Sequence, residues 1–354
     1  MTFLAGKVVL DVDAGAPNNG RGQDNVGKVK QLRVDGQVYP YVSAQAFRRW
    51  LRDSLPAGEP RSAVTRSGTG KAQQAYTAGR PDRFLDDDLF GYMVAVKTEK
   101  AAKGEKGKNG TCQRDTVFAT GTLVSVTPQR PTLDFGTMSR GFAAGENPVI
   151  HEHELYSAEL AGDVLLDLPR VGTFETDGAG LKVALTVDAA TQAKAAGAEP
   201  VRFRGVDALR LPIAERRRRA AVLLRTLAEV RGGAKKALHY GERTPALVLL
   251  APVKGGINPF TRVLGVSGGS TVFDVDVLAE EIQAWADELD GPVLLGWAPG
   301  FLGGQRERVS EQLADLTGDR VVVGHPRGIL SGLAGEIERG EHDGWFTDPT
   351  PVLG

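Results

Sequence analysis

Residues 31–55 read QLRVDGQVYPYVSAQAFRRWLRDSL and predict two short strands, a tight turn between them and a helix directly after them. Asp35-Gly36 is a dipeptide that favours a two-residue hairpin turn, because both residues tolerate a positive φ. Ser43 is a suitable N-cap for the helix, and Pro56 ends it. The stretch therefore predicts a β-hairpin that leads straight into a helix.

The predicted helix has one apolar face and one basic face. At about 100° per residue, Trp50 and Leu51 lie within about 60° of Phe47 and form the apolar face. The basic face consists of Arg48, Arg49 and Arg52. Arginines in this arrangement are either simply solvated or available to neutralise phosphates.

Strands and helices are mixed on both sides of this unit, which favours an α+β or α/β fold. The other main strands are predicted at 7–12, 89–96, 116–126, 155–168, 246–252, 293–297 and 320–323. The other helices are predicted at 213–230, 277–289 and 305–316. A chain of 354 residues can bury a sizeable core without disulfides or metals.

Three segments lack such periodicity. Residues 57–88 are predicted to be an insertion, and the Lys/Gly-rich residues 97–115 to be a basic loop. Residues 127–153 connect two good strands, and connections of this length are usually functional. The last segment also holds side chains that can stack on bases or wedge between them.

The composition excludes several classes of protein. A single cysteine, Cys112, makes an internal disulfide impossible and indicates a reducing compartment, so we expect a cytoplasmic protein. No apolar run approaches the roughly 18 residues that a membrane span needs, and we expect no membrane contact. Five scattered histidines predict no metal, and no motif calls for a cofactor.

The formal net charge of −1 hides two opposed segments. Residues 202–236 hold eleven Lys/Arg against three Asp/Glu, and residues 270–354 hold five Arg against sixteen Asp/Glu. Such segments suit a nucleic-acid face and a partner face on opposite sides of a molecule. Alternatively, the two segments neutralise each other within the fold.

Two local clusters each allow two interpretations. The run Arg216–Arg219 is either a phosphate-binding turn or a solvated helix face. His151 and His153 lie on one face of a predicted strand. They either begin a metal site or, as the sequence favours, belong to a solvated hairpin stem.

Four segments together resemble a known family. They are NNGRGQDNVGKVKQLRVDGQVYPYVSAQAFRRWLR (18–52), DFGTMSR (134–140), HEHELYS (151–157) and RRRAAVLLRTLAEVRGGAKKALHYGERTP (217–245). In this order they resemble the DevR/Cst-type CRISPR-associated proteins. These are the backbone subunits (the Cas seven superfamily) of type I Cascade complexes, and the resemblance is strongest to type I-B. It covers about residues 3–255 and is weaker in the C-terminal third.

The resemblance implies an α+β fold, with an RRM-like, ferredoxin-type palm, inserted segments and a long thumb β-hairpin. The palm would comprise residues 1–255, with the insertion at 57–88, the basic loop at 97–115 and the thumb at 127–153. From their own charge and alternation of strands and helices, and not from the resemblance, residues 256–354 are expected to form an acidic C-terminal α/β part of the palm. Several copies would polymerise along a CRISPR RNA (crRNA), and each thumb would displace one nucleotide, so that the guide can pair with target DNA in antiviral defence.

The resemblance also implies which residues bind the guide. The asparagine loop (18–30), the arginine helix and the Gly-Gly turn (232–236) would hold its backbone through Asn18, Asn19, Arg21, Lys28, Lys30, Ser43, Gln45, Arg48, Arg49, Arg52, Gly232, Gly233, Lys235 and Lys236. The thumb would contribute Phe135, Met138, Arg140 and Phe142, with one of Phe135, Met138 and Phe142 as the wedge. Phosphate contacts and stacking suit a subunit that must accept any guide sequence.

We expect as partners crRNA, target DNA through the guide duplex, other Cascade subunits with a recruited effector, and further copies of the chain. The opposed charge segments suit head-to-tail contact between copies in a filament. No catalytic residue is expected, since cutting would belong to a recruited nuclease. Two alternatives remain open. One is a metal-dependent subunit that cleaves target RNA through loop residues Asp13, Asp24 or Asp134, and the other is a stand-alone regulatory RNA-binding protein.

Overall fold

The computed structural model describes residues 1–22, 26–70, 73–96, 110–138, 140–143, 145–147, 149–176 and 182–348. Its strands are β1 (Thr2–Gly15), β2 (Val26–Gly27), β3 (Gln31–Val34), β4 (Gln37–Val42), β5 (Thr65–Ser67), β6 (Gln74–Tyr76), β7 (Tyr92–Val96), β8 (Gly110–Arg114), β9 (Phe118–Thr120), β10 (Leu123–Ser125), β11 (Thr132–Met138), β12 (Val149–Asp167), β13 (Thr173–Glu175), β14 (Glu199–Phe203), β15 (Val206–Arg210), β16 (Pro245–Lys254), β17 (Leu264–Ser267), β18 (Ser270–Phe273), β19 (Val293–Trp297) and β20 (Val321–Gly324). Its helices are α1 (Ala44–Ser54), α2 (Leu85–Phe90), α3 (Val187–Ala195), α4 (Ile213–Ala228), α5 (Val275–Ala284), α6 (Gln305–Thr317) and α7 (Pro326–Arg339).

One strand organises the main sheet. β1 pairs antiparallel with β12 on one side and with β16 on the other. The sheet has the order β20-β19-β16-β1-β12-β10-β4-β3, and β2, β9 and β11 also pair with β12. Among the described pairings, those of β19 with β20 and of β2 with β12 are parallel. A mostly antiparallel sheet with helices on it makes the protein α+β, as predicted.

The main sheet is buried on both faces, because successive residues of β1 point to two different cores. Leu4, Val8 and Leu10 pack into one core with α1, α4 and α7. Ala5 and Val9 pack into a second core with α5 and α6. The chain after β16 therefore belongs to the same sheet, to which it adds β19 and β20.

The local predictions for the opening stretch are confirmed. β3 and β4 form a hairpin, and Asp35 and Gly36 have φ values of 48° and 76°. α1 begins after Ser43, whose Oγ accepts a hydrogen bond from the Ala46 amide at 3.4 Å. Its buried side chains are Phe47, Trp50 and Leu51.

Two predicted strands are wrong in part. Residues 89–96 begin with the end of α2, and β7 starts only after Gly91, whose φ is 74°. Residues 116–126 are divided into β9 and β10, both of which pair with β12. The pairing register on β12 shifts by one residue between Thr120 and Val124, which is the effect of a β-bulge.

The segments without periodicity contain regular structure wherever they are described. In 57–88, β5 pairs with β6 and α2 begins at Leu85. In 97–115, residues 110–114 form β8, and residues 97–109 lie outside the described part of the chain. In 127–153, β11 pairs with the first residues of β12.

Helix α2 carries three consecutive aspartates, Asp86–Asp88, and all three are fully buried. Asp88 accepts hydrogen bonds from Arg114 on β8 and from Arg219 on α4, the latter at 2.8 Å. It also accepts one from the Gly172 amide at 2.9 Å. A carboxylate without water is tolerated only when it is paired in this way. Asp88 therefore joins α2 to β8 and to α4.

Both interpretations of the arginine run Arg216–Arg219 are wrong. The four guanidinium groups are bonded within the chain: Arg216 to the carbonyls of Pro169, Val171 and Phe346, Arg217 to Asp343, Arg218 to Glu59 and Glu215, and Arg219 to Asp88 and Glu215. Burial lowers the pKa of Arg216 to about 10. The run fixes α4 against its neighbours instead of facing phosphates or solvent.

The two opposed charge segments pair with each other inside the fold. Arginines of the basic segment pair with acids of the acidic segment in Arg204–Asp348, at 3.9 Å, in Arg225–Glu338, at 2.6 Å, and in Arg217–Asp343. In one further pair the arginine comes from the acidic segment: Arg327 pairs with Glu229 at 2.7 Å. Much of the positive charge of residues 202–236 is therefore neutralised within one chain. The alternative of internal neutralisation accounts for these contacts.

We predict that Asp88→Asn lowers the free energy of unfolding by about 3–5 kcal/mol, because it removes the fully buried counter-charge that Arg114 and Arg219 share. Urea denaturation measures the change. The control is Asp53→Asn, whose partner Arg49 is 65% exposed, and an exposed pair of this kind contributes less than about 1 kcal/mol. Equal losses for the two variants would contradict the assigned role of Asp88.

Candidate nucleic-acid interface

The three arginines of α1 lie in different environments. Arg49 is 65% exposed and pairs only with Asp53, at 2.7 Å, among the described residues. Arg48 is half-buried and donates to Thr120 Oγ1 at 3.2 Å, and burial lowers its pKa. Arg52 donates to the buried Asp86 at 3.1 Å, so its charge already has a partner in the core. Arg49 is the arginine of this helix that projects furthest into solvent.

The other predicted residues of α1 flank this basic face. Ser43 Oγ is occupied as the N-cap of the helix. Gln45 is exposed in the first turn of the helix. The Arg52 guanidinium also lies over the Phe90 ring, at 5.5 Å from its centroid. Arg52 therefore orients α1 on α2 and has less freedom than Arg49 to meet a ligand.

The asparagine loop is a narrow double strand beside β4. The Gly20 amide donates to the Lys28 carbonyl at 2.7 Å, and the Lys30 amide donates to the Asn18 carbonyl at 3.2 Å. Asn18 is buried, and its Nδ2 donates to the Tyr41 carbonyl at 3.3 Å. The side chains that reach the surface are Asn19, Arg21, Lys28 and Lys30. Residues 23–25 lie outside the described part of the chain.

The Gly-Gly turn packs against both of the other segments. A Cβ atom on Gly232, whose φ is 141°, would lie 2.7 Å from Cγ of Trp50 on α1. The Ala234 amide donates to the Pro17 carbonyl at 2.8 Å. Ser54 and the backbone of Arg231 exchange two hydrogen bonds, of 2.9 and 2.8 Å. Only glycine permits so close an approach of this backbone to the tryptophan.

The lysines of the turn lie near the asparagine loop. Nζ of Lys235 would be 2.7 Å from a Cβ atom on Gly27. Burial lowers the pKa of Lys235, and Glu154 acts in the opposite direction. Lys236 lies over the Tyr240 ring at 5.6 Å from its centroid. The structure thus brings the Gly-Gly turn into contact with both α1 and the asparagine loop.

The predicted thumb is a hairpin that extends from the main sheet. β11 pairs with residues 149–155 of β12, and β12 then continues without interruption beside β1. Phe135 is 68% exposed, Met138 53% and Phe142 36%, and Arg140 is also exposed. The apolar side chains lie on β11 and in the connection that follows it. Because β11 pairs with the end of β12, a continuous strand of 19 residues, the hairpin holds them away from the core.

His153 lies in the stem of this hairpin and is buried, so the interpretation of a solvated stem is wrong for it. Its Nε2 lies 2.8 Å from Nε2 of His239, which follows the Gly-Gly turn, and 3.4 Å from Oδ2 of Asp134. Sequence reasoning missed His239, because 86 residues separate it from its partner. Across the residues that the structure describes, no cluster of three or more candidate metal ligands was found.

Two of the three acids considered for RNA cleavage lie in strands, not in loops as expected. Asp13 is on β1 and accepts a hydrogen bond from Ser157 at 3.2 Å. Asp134 is on β11, half exposed and close to His153. Asp24 lies outside the described residues.

The comparisons with known proteins point in one direction. The chain is similar to a CRISPR-associated protein. That protein is Cas7/Cst2/DevR of Myxococcus xanthus (strain DK1622), which is 29% identical over 170 residues, or 45% of this chain and 55% of the relative. The chain thus matches about half the length of this curated relative. No protein-family model matches the chain.

Two solved structures share the fold over nearly the whole chain. One is titled CRISPR RNA-guided surveillance complex, with a TM-score of 0.51, 13% identity and coverage of 94% of this chain and 98% of that chain. The other is titled CRISPR RNA-guided surveillance complex, pre-nicking, with a TM-score of 0.56, 11% identity and coverage of 95% and 100%. In the described residues, no helix is long and apolar enough to span a membrane.

The contact of His153 with His239 predicts a pH-dependent link between the thumb stem and the Gly-Gly turn. Burial lowers the pKa of His153, and the nearby Lys235 lowers it further. The unfolded chain then binds a proton more readily than the folded chain. The stabilisation is therefore present above about pH 6.5 and is lost as the pH falls through the lowered folded pKa.

We accordingly expect the free energy of unfolding to fall between about pH 7 and about pH 5, and to fall less in His153→Gln than in the unaltered protein. Urea denaturation at a series of pH values measures this slope. His151→Gln, on the same strand but exposed, is the matched control and should keep the original slope. A His153→Gln variant with an unchanged slope would show that this contact does not titrate.

Proposed function

We propose that this chain is a crRNA-binding backbone subunit of a type I CRISPR Cascade complex, of the I-B type. Several copies polymerise along the spacer part of the guide, which pairs with target DNA in antiviral defence. The relative is a CRISPR-associated protein, and the two structures of similar fold come from RNA-guided surveillance complexes. These likenesses support the proposal. We also propose that the palm is RRM-like, which the antiparallel pairing of β1 with β12 and with β16 supports.

The observation that carries this proposal is the convergence of three segments that are far apart in sequence. Contacts through Trp50, Pro17 and Arg231 hold the Gly-Gly turn against α1 and the asparagine loop. Their surface side chains are mainly lysines and arginines. A row of cations neutralises successive phosphates, whatever the base sequence.

The hairpin supplies a second feature that such a subunit needs. Exposed Phe135 and Met138 lie on β11, and exposed Phe142 lies close to its tip. Aromatic and apolar side chains in this position can stack on a base or hold two bases apart. We therefore keep Phe135, Met138 and Phe142 as candidates for the residue that displaces a nucleotide.

The sequence predicted that copies of the chain contact each other through the opposed charge segments, but the contact needs another surface. The opposed segments pair within the chain, through Arg225 and Glu338 for example. The exposed apolar hairpin is a better candidate for the contact, because burying its side chains removes apolar surface from water. We retain the head-to-tail filament as part of the proposal.

We also propose that the chain binds its guide without cutting RNA. Asp134 is next to His153, and Asp13 accepts a hydrogen bond from Ser157. Cleavage of the target is then the task of a recruited effector. Loss of cut product with retained binding, after Asp13→Ala or Asp134→Ala, would favour the cleaving alternative instead.

The test of the proposal is co-expression of the chain with its neighbouring genes and a CRISPR array. The complex is purified by a tag on this chain, and the bound RNA is sequenced. We expect a large assembly that contains processed crRNA of uniform length. A discrete RNA-bound monomer or dimer would favour a regulatory RNA-binding protein, and a monomer free of nucleic acid would contradict both readings.

A matched pair of variants tests the interface itself. Arg49→Glu reverses a charge on the basic face of α1 and should reduce the crRNA recovered at least about tenfold when combined with Lys28→Glu, since two phosphate contacts are lost. Arg202→Glu is the control: like Arg49, Arg202 is 65% exposed, and it pairs with Asp207 at 2.8 Å. Equal RNA recovery from the double variant and the control would place the guide on another surface.

A further inference from the structure

Arg243 lies two residues before β16 and is only 1% exposed. Its Nη1 donates to the Glu242 carbonyl at 2.7 Å. Its Nε and Nη2 are buried and have no hydrogen-bond partner among the described residues. The Glu242 carboxylate is engaged by the Tyr240 hydroxyl. Arg243 is therefore a buried cation with two unused donors.

Among the described residues, the other three arginines with buried side chains have partners, and the half-buried Arg210 has one buried nitrogen, Nη2, without a partner. Arg216 donates to three backbone carbonyls, and Arg114 and Arg219 share the carboxylate of Asp88. Burial without such partners is unfavourable for a charged group. Burial accordingly lowers the pKa of Arg243. The exception needs a reason that the folded chain alone does not supply.

Another buried side chain of this region also lacks a hydrogen-bond partner. The Tyr156 hydroxyl on β12 is buried and has no partner among the described residues. Tyr156 pairs with Gly15 across the sheet, and a Cβ atom on Gly15 would lie 3.3 Å from Nη2 of Arg243. Burial raises the pKa of Tyr156, so the hydroxyl keeps its proton. Nη2 of Arg243 therefore lies close to Gly15, and an anion is the ligand that satisfies the two unused guanidinium donors.

The unused donors face the candidate interface. A Cβ atom on Gly233 would lie 3.4 Å from Nε of Arg243 and 3.3 Å from the Pro17 carbonyl. Gly233 belongs to the Gly-Gly turn, and Pro17 leads into the asparagine loop. Arg243 also lines a cleft of about 430 Å³, together with Asp11 and Asp13. Because these acids repel an anion, the ligand approaches from the glycine side.

We propose that Arg243 is the buried anion anchor of the interface and that its ligand is a phosphodiester group of the bound RNA. This inference rests on the proposed function. Nε and Nη2 form the edge of a guanidinium that binds two phosphate oxygens in parallel. The Gly-Gly turn covers this edge and is joined to Pro17 by the Ala234 hydrogen bond. RNA binding opens that contact and exchanges it for phosphate.

The test is Arg243→Met, which keeps an unbranched apolar side chain at this position and removes the guanidinium group with its charge. We measure the Kd for a single-stranded RNA oligonucleotide of mixed sequence at several salt concentrations, and the Tm of the RNA-free protein. The Kd should rise at least tenfold, and the salt slope should fall by about 0.7, as for the loss of one phosphate contact. The Tm should stay equal or rise, because an uncompensated buried charge is removed.

Arg216→Met is the matched control, since Arg216 is 4% exposed and fully bonded to carbonyls. It should lower the Tm and leave the Kd unchanged. Failure of Arg243→Met to fold, or a lower Tm with an unchanged Kd, would show that Arg243 is structural and overturn the anchor.

The Arg49→Glu variant separates this result from the proposed function. If Arg49→Glu weakens RNA binding and Arg243→Met does not, the interface stands and the anchor is wrong. If the unaltered protein does not bind RNA at all, the proposed function and the anchor both fail.

Discussion

The position of the candidate interface depends on the buried carboxylates of α2. Asp88 accepts from Arg219 on α4, and Asp86 accepts from Arg52 on α1. α1 carries the basic face, and α4 leads directly into the Gly-Gly turn. A helix of six residues therefore fixes the two longer helices that carry the interface. A buried carboxylate requires hydrogen-bond donors at a defined distance and angle, so these pairs constrain the arrangement of the helices more narrowly than apolar contacts do.

This use of charge explains why counting residues along the chain is misleading. The most basic segment, 202–236, uses Arg216 and Arg219 in the core and Arg225 in a pair with Glu338. What remains at the surface near α1 comes from the asparagine loop, from Arg49 and from the lysines of the turn. The basic surface of the candidate interface consists of cations that are dispersed in the sequence and that the fold brings together. Its charge is local, while the chain as a whole is almost neutral.

The parts of the fold that sequence reasoning predicts are those whose causes are local. The Asp35-Gly36 turn, the Ser43 cap and the apolar face of α1 depend on neighbours within a few residues, and all three are confirmed. β19 has the predicted bounds because its apolar run is short and clearly ended. α7 was missed because glycines interrupt its pattern, although Pro326 is well suited to its first turn. The roles of the arginine run and of His153 depend on partner residues, most of which lie 86 or more residues away in the sequence. No local pattern reveals such partners.

The contrast between Arg216 and Arg243 shows what a structure adds to a list of basic residues. Both side chains are buried, and each lies close in sequence to apolar residues of the core, so the sequence does not distinguish them. Arg216 donates hydrogen bonds to three backbone carbonyls. Arg243 has unused donors, and these lie close to glycines of the Gly-Gly turn and of the end of β1. The hydrogen bonds of Arg216 stabilise the folded chain, whereas burial of the unpaired donors of Arg243 destabilises it. A fold that keeps an unfavourable cation where its candidate RNA-binding loops meet retains it for a ligand that the isolated chain lacks.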